Sequence, residues 1–467
     1  MRDATYSMRW LVSPFVGLLV IALAGLFWLG TVRLEIPASI CLILLVQLVL
    51  FCLAFRRPVW ALVALMVGQL TESGYVLYPT AGFEISITLL WTVATVLLLI
   101  PIIAQKGLDI GDKARGVVIP AIILFGLATI SNFVNTDISD TFRYLRWTIT
   151  ALAILLLLPT MVKEEKDLKL IGVIAIITCS ISAIAAIAQH YFAANSLIWS
   201  RATGLTPTPI QLGLNMSILC VPVIGVFLLK GTSPLVRKLL ALAAVVLFFG
   251  LIYSFTRSGI YALGLGILAM ALLLKGRIRY RIIFVTLILG VAFFSYSYIN
   301  HSRFSAGLTE VSAATRPVLW QAGVNVALDH PLLGIGEYRF EEVSSGYKST
   351  VSSRFLENQQ AAANLGRLQP HDDFILVWAS FGTLALLAFV WLLVGIFQNF
   401  VYSYRHAQGR FLKSLALGCA AAVVVYVINA ALHNIMDSVF TLWILGGLSI
   451  VLARLVLSES TREREKS

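Results

Sequence analysis

Three short stretches hold the residues whose types and spacing could do chemistry. "LQPHDDFILVWASFG" sets His371 between Pro370 and two acids, Asp372 and Asp373. "LIYSFTRSGIYALG" carries a single charge, Arg257, between two long apolar runs. "RATGLTPTPIQLGLN" opens on Arg201, ahead of Gly204, Pro207 and Pro209. An imidazole that is neutral near pH 7 can take a proton from a hydroxyl, and a neighbouring carboxylate can orient it. A guanidinium offers a planar fork of donors that suits phosphate oxygens in pairs. The same residues have structural uses. His-Asp-Asp is a good helix start, because acids there cap the chain and complement the dipole. Arginines also snorkel to lipid headgroups or pair with acids. The sequence holds no HExxH, P-loop or GxSxG motif, and Gly334-Ile335-Gly336 lacks the third glycine of a nucleotide cradle, so it reads as a turn.

The elements that must position these residues are membrane spans. Of 467 residues, 59% are hydrophobic and 12% charged, roughly half the charge of a soluble domain. Apolar runs of about twenty residues recur from end to end without period-2 alternation, which predicts an all-α polytopic membrane protein rather than a barrel. Fourteen candidate spans can be marked, at 10–30, 36–55, 58–78, 83–104, 116–134, 142–162, 168–192, 207–230, 236–255, 258–275, 281–299, 372–403, 411–433 and 436–456, and twelve to fourteen is the range if short ones merge. The first is read as a retained helix, since its apolar run continues past the signal-peptidase-like Ala22-Leu23-Ala24. The five cysteines (Cys41, Cys52, Cys179, Cys220, Cys419) sit in apolar runs with no CxxC pair and read as packing residues, with no metal site indicated.

Charge orients the chain. With both ends inside, 24 of the 35 basic residues fall on cytoplasmic segments, as positive-inside sorting requires. The net charge of +12 therefore reflects those loops and not a nucleic-acid partner. The 11 exceptions are Arg33, Arg143, Arg146, Arg201, Arg257, Arg303, Arg316, Arg339, Lys348, Arg354 and Arg367, ten of them arginine. A cavity open to the outer face and lined by such residues would suit an anionic substrate such as a lipid pyrophosphate. Arg257, in a gap too short for an ordinary loop and with no acid nearby in sequence, is the strongest candidate. Residues 1–299 would then hold eleven helices, 300–371 a large periplasmic loop, 372–456 the C-terminal spans and 457–467 a cytoplasmic tail. In the loop, Arg316-Pro317 begins an apolar stripe predicted as a helix lying on the outer interface, capped by Thr315 and stopped at Asp329-His330-Pro331. Residues 341–369 read as flexible or partly ordered. His433, in "ALHNIMDSVF", reads as a helix-end residue that caps or pairs with Asp437.

Taken together, "YSFTRSGIYALG", "TRPVLWQAGVNVALDHPLLGIGEYRF" and "PHDDFILVWASFGTLALLAF" resemble the O-antigen ligase/Wzy polymerase superfamily. The family pattern runs from an arginine-bearing turn through R-x3-W (Arg316 to Trp320) and P-L-x-G-x-G to a histidine followed by a later glycine, here His371 and Gly382. Close matches span 251–386; elsewhere only the topology agrees. The resemblance implies metal-independent, inverting glycosyl transfer at the periplasmic face of a bacterial inner membrane, in O-antigen or exopolysaccharide assembly. The donor would be a glycan on undecaprenyl pyrophosphate and the acceptor lipid A core or another lipid-linked glycan, among membrane lipids and with no cofactor. By motif, Arg257 and Arg316 would hold the pyrophosphate, with Arg201 where the family often has another arginine. His371 would be the base, supported by Asp372, Asp373 and Trp320. The Asp-Asp that follows His371, in place of the commoner Asn-Asp, predicts a raised imidazole pKa.

The sequence leaves two other readings open. A protein hydroxyl could be the acceptor, which the expected lack of a soluble C-terminal domain disfavours. A transporter or flippase of lipid-linked anionic sugars would place charges deep in several spans, whereas these spans are nearly charge-free inside. A purely structural scaffold is disfavoured by the arginine distribution.

Overall fold

The computed structural model describes residues 38–71, 76–80, 83–86, 90–97, 111–192, 201–228, 233–299, 315–355, 369–436 and 440–464. The expected first span at 10–30 and the His433 partner Asp437 lie outside these residues. The described chain is helical apart from one short hairpin, as its unbroken apolar runs require, and it is an all-α polytopic membrane protein. Eight helices among the described residues are long and apolar enough to cross a membrane, and three shorter apolar helices accompany them.

In chain order the helices are α1 (Ala38–Leu53), α2 (Val59–Leu70), α3 (Arg115–Asn135), α4 (Ile138–Met161), α5 (Glu165–Phe192), α6 (Pro209–Phe227), α7 (Pro234–Tyr253), α8 (Arg257–Leu273) and α9 (Arg277–Ile299). Then follow α10 (Arg316–Asp329), α11 (Phe340–Phe355), α12 (Asp373–Phe381), α13 (Thr383–His406), α14 (Arg410–Ala430) and α15 (Thr441–Arg464). The expected boundaries hold closely for most spans. The span expected at 58–78 is shorter: α2 ends at Leu70, and the chain then forms β1 (Val76–Thr80) antiparallel to β2 (Phe83–Ser86). Pro79 and the β-branched Val76 and Thr80 suit a two-stranded edge better than a continued helix.

The run 372–403 is two helices. Gly382, at φ 86°, breaks it between α12 and α13, a backbone state that costs an L side chain but not glycine. At the core of the bundle, α14 packs on α6, α8 and α13, while α13 also packs on α3 and α15. Small and aliphatic side chains such as Ala416, Ala420, Ala421, Leu392 and Ile396 are buried there, which lets helices approach closely.

The two groups of basic residues fall at opposite ends of this bundle. At one end Arg57 meets Asp167 at 2.5 Å, Arg454 binds the carbonyls of Pro159 and Val162, and Lys113 lies over Tyr402. At the other end are Arg201, Arg257, Arg316 and Arg339, tied to helix ends and connections.

Helix α10 forms where expected and stops at Asp329, with His330 as its C-cap. Its setting differs. Val318, Leu319, Ala322, Gly323, Val326 and Ala327 are buried, against α11 and α12. The apolar stripe therefore meets protein instead of lying open at an interface. The Thr315 side chain makes no capping hydrogen bond. Of residues 341–369, expected to be flexible or partly ordered, 341–355 belong to helix α11, which covers α10, and 356–368 lie outside the described residues.

Candidate active site

The Arg257 segment is a turn of three residues. Helix α7 ends at Tyr253 and α8 starts at Arg257, with Phe255 at φ 49° between them. Hydroxyls close this turn. Ser254 Oγ donates to the Leu251 carbonyl and accepts from Thr256 N, while Thr256 Oγ1 donates to the Pro209 carbonyl at 2.9 Å. Arg257 is thus the first residue of a helix, half-buried, with buried Thr256 and Ser258 on either side.

Arg201 lies against this same turn. Its Nε donates to the Ser254 carbonyl at 3.1 Å and its Nη2 to Thr256 Oγ1 at 3.0 Å. The backbone follows, Ala202 N bonding the Tyr253 carbonyl. The irregular 201–208 segment before α6 is itself held by Gln189, whose Oε1 accepts from Thr203 N and Gly204 N. The arginine expected to touch substrate is therefore also a brace for the turn that presents Arg257.

The His371 segment is built differently. His371 has φ 54°, and Asp372 is the N-cap of α12, its carboxylate accepting from Ile375 N at 3.0 Å. Asp373 does something the sequence did not suggest. It is fully buried, and its Oδ1 accepts from Ile435 N at 2.9 Å and Met436 N at 3.3 Å. Asn434 completes the clasp, accepting from Asp372 N and donating to Gln369 Oε1. The connection between α14 and α15 is thereby fastened to the start of α12.

That connection carries His433, beyond the end of α14 at Ala430. Its Nε2 lies 2.8 Å from Ser258 Oγ. Burial foremost, and then the positive charges of Arg316, His371 and Arg201, push the His433 imidazole down to about 3. His371 is lowered too, by burial and then by Arg316. This is opposite to the rise expected from Asp-Asp, because Asp372 is turned to helix capping and Asp373 to the clasp. Arg316, the first residue of α10, thus acts on both histidines. Trp320, one turn along α10, has a buried indole N–H with no hydrogen-bond partner among the described residues.

The glycine motifs have a mechanical explanation. Ile335 N bonds the Ala379 carbonyl, Gly336 N the Ser380 carbonyl and Thr383 N the Pro331 carbonyl. A Cβ on Gly334 would overlap the Ser380 backbone, and one on Gly382 would overlap the Leu332 carbonyl. The segment 331–336 is thus docked backbone to backbone on the α12–α13 break, and Asn132 and Asn135 of α3 hold its far side through Glu337 N and the Gly334 carbonyl. It is a turn, as expected, and one that seats α10 beside α12.

The structure therefore places Arg201 on the turn that presents Arg257 and His433 on the residue next to it, with Arg316 and His371 close enough for their charge to act on His433. Sequence reasoning gave His433 only a capping or pairing role beside Asp437, and gave Ser258 and Asn434 no role in the site. The available signal was a polar His-Asn pair between two spans at the arginine-rich end.

A multi-pass helical bundle with clustered arginines and histidines at one end defines a class of membrane protein. Residues 242–390 match the sequence model of the O-antigen ligase family. This match supports the O-antigen ligase/Wzy superfamily for the chain and takes in Arg257, Arg316, Trp320, His371 and Gly382, while Arg201 and His433 lie outside it. No curated protein sequence matches the chain.

Proposed function

We propose that the protein transfers a glycan from undecaprenyl pyrophosphate to an acceptor hydroxyl, with inversion, at the periplasmic face of the inner membrane. The observation that carries this reading is that Arg201 hydrogen-bonds the turn that starts Arg257 while His433, within the electrostatic reach of Arg316 and His371, touches the next residue, from segments far apart in the chain. Such a cluster of cations is costly to assemble at a membrane surface unless an anion offsets it.

The acceptor oxygen attacks the anomeric carbon, and the bond from that carbon to the pyrophosphate oxygen breaks, leaving the electron pair on the pyrophosphate. A single displacement inverts the anomeric centre. Arg257 and Arg316 neutralise the charge as it develops, their forks taking oxygens in pairs, and Arg201 adds to the local field. Arg257 and Arg316 are each the first residue of a helix, where the helix dipole also favours an anion. His371 takes the hydroxyl proton. Its lowered pKa keeps it unprotonated at neutral pH, as a base must be. Trp320, one turn along α10 from Arg316, supports the start of that helix.

The test is reconstitution of the purified protein with an undecaprenyl-pyrophosphate glycan and candidate acceptors. A longer lipid-linked glycan identifies a polymerase, glycosylated lipid A core a ligase, and a glycosylated protein an O-oligosaccharyltransferase. Movement of intact lipid-linked glycan across the bilayer with no new glycosidic bond would refute the reading and identify a flippase.

A further inference from the structure

We infer that His433 is a positioning residue: by holding Ser258 it sets the first turn of α8, and with it the place of the Arg257 guanidinium against Arg316. This rests on the reading of the arginines as a pyrophosphate site. Three observations carry it. The 2.8 Å contact joins His433 Nε2 to Ser258 Oγ across 175 residues, and holds with either partner donating. Ser258 is only 5% exposed and immediately follows Arg257, so the hydroxyl sits in the helical turn that starts the Arg257 backbone. His433 does not hang on a loose connection: Asp373 and Asn434 fasten 434–436 to the start of α12. The imidazole is thus a strut from the His371 segment to the Arg257 turn.

The surroundings suit a strut better than a second base. Arg316 and Arg201 act on the ring with positive charge, and the acids at the start of α12, Asp372 and Asp373, are engaged with backbone N–H groups. An imidazole so placed keeps one protonation state across the working range, and so keeps the same hydrogen bond.

The experiment uses the full-length protein in detergent, with farnesyl pyrophosphate as the binding probe. His433→Leu removes the hydrogen bond and keeps bulk, Ser258→Ala removes its other half, and His433→Gln can reach Ser258 without titrating. His433→Leu and Ser258→Ala should each weaken binding by about tenfold, the size of one hydrogen bond, and the double variant should be no weaker than either. His433→Gln should stay within about threefold of the parent protein, with an unchanged pH profile for transfer. Additive losses, or His433→Gln binding as poorly as His433→Leu, would overturn the inference. If His433→Leu fails to accumulate, Ser258→Ala and His433→Gln make the same comparison. Arg257→Ala separates the two levels of argument. If it binds the probe normally, the pyrophosphate reading falls; if it loses binding while His433→Leu keeps it, only the positioning role falls.

Discussion

Replacing Asp373 by alanine should release the α14–α15 connection without unfolding the bundle. The Asp373 carboxylate is fully buried and accepts from Ile435 N at 2.9 Å and Met436 N at 3.3 Å. Ile435 and Met436 are themselves 1% and 2% exposed, so water cannot replace the lost acceptor without opening the connection. Each orphaned buried N–H costs ~1–3 kcal/mol, and the longer bond lies at the low end, for a total of ~2–4 kcal/mol. Asparagine at 373 keeps one acceptor oxygen and loses only charge assistance, ~1 kcal/mol. Amide hydrogen exchange reads this locally. Protection of Ile435 and Met436 should fall by about 30-fold to several hundred-fold in Asp373→Ala and by under about tenfold in Asp373→Asn. Glycan transfer should fall with the alanine variant, because the released segment carries His433. Unchanged protection at 435 and 436 in Asp373→Ala, or fraying confined to residues 373–381, would refute the clasp and return Asp373 to a simple helix-start role.

Arg257→Ala and His371→Ala should each abolish transfer in a complementation assay while the protein accumulates in membranes at its usual level; full activity of both would remove the mechanism. Gly382→Ala places a Cβ against the Leu332 carbonyl at φ 86°. It should cost ~2 kcal/mol or more, seen as reduced accumulation and a lower melting temperature. Activity of the parent protein should decline in acid with an apparent pKa below the ordinary 6.5 of histidine, since burial and Arg316 both disfavour the imidazolium. Arg316→Gln removes one of those causes, so its residual activity should fail at a higher pH than the parent's; an acid limb that stays put or moves down would exclude His371 as the titrating base.

Much of this molecule was legible along the chain. Spans, their order and the short Arg257 turn follow from apolar run length and from the residues that interrupt it, because a helix in lipid satisfies its own backbone locally. The arginines stood out because they fell outside the segments that the charge count assigned to the cytoplasm. Helix α10 was readable too, but not its cover, since residues 341–355 have little apolar periodicity and their helix packs on α10.

The functional cluster was another matter. That His433 would reach Ser258, that Asp373 would grip 435–436, and that Pro331–Gly336 would dock on 379–383 depend on which helix ends meet in space. Local composition determines where each helix starts and stops. Which starts are neighbours is decided by packing among α6, α8, α13 and α14, which brings together hydrogen-bond partners 44 to 175 positions apart, and no spacing along the chain records it.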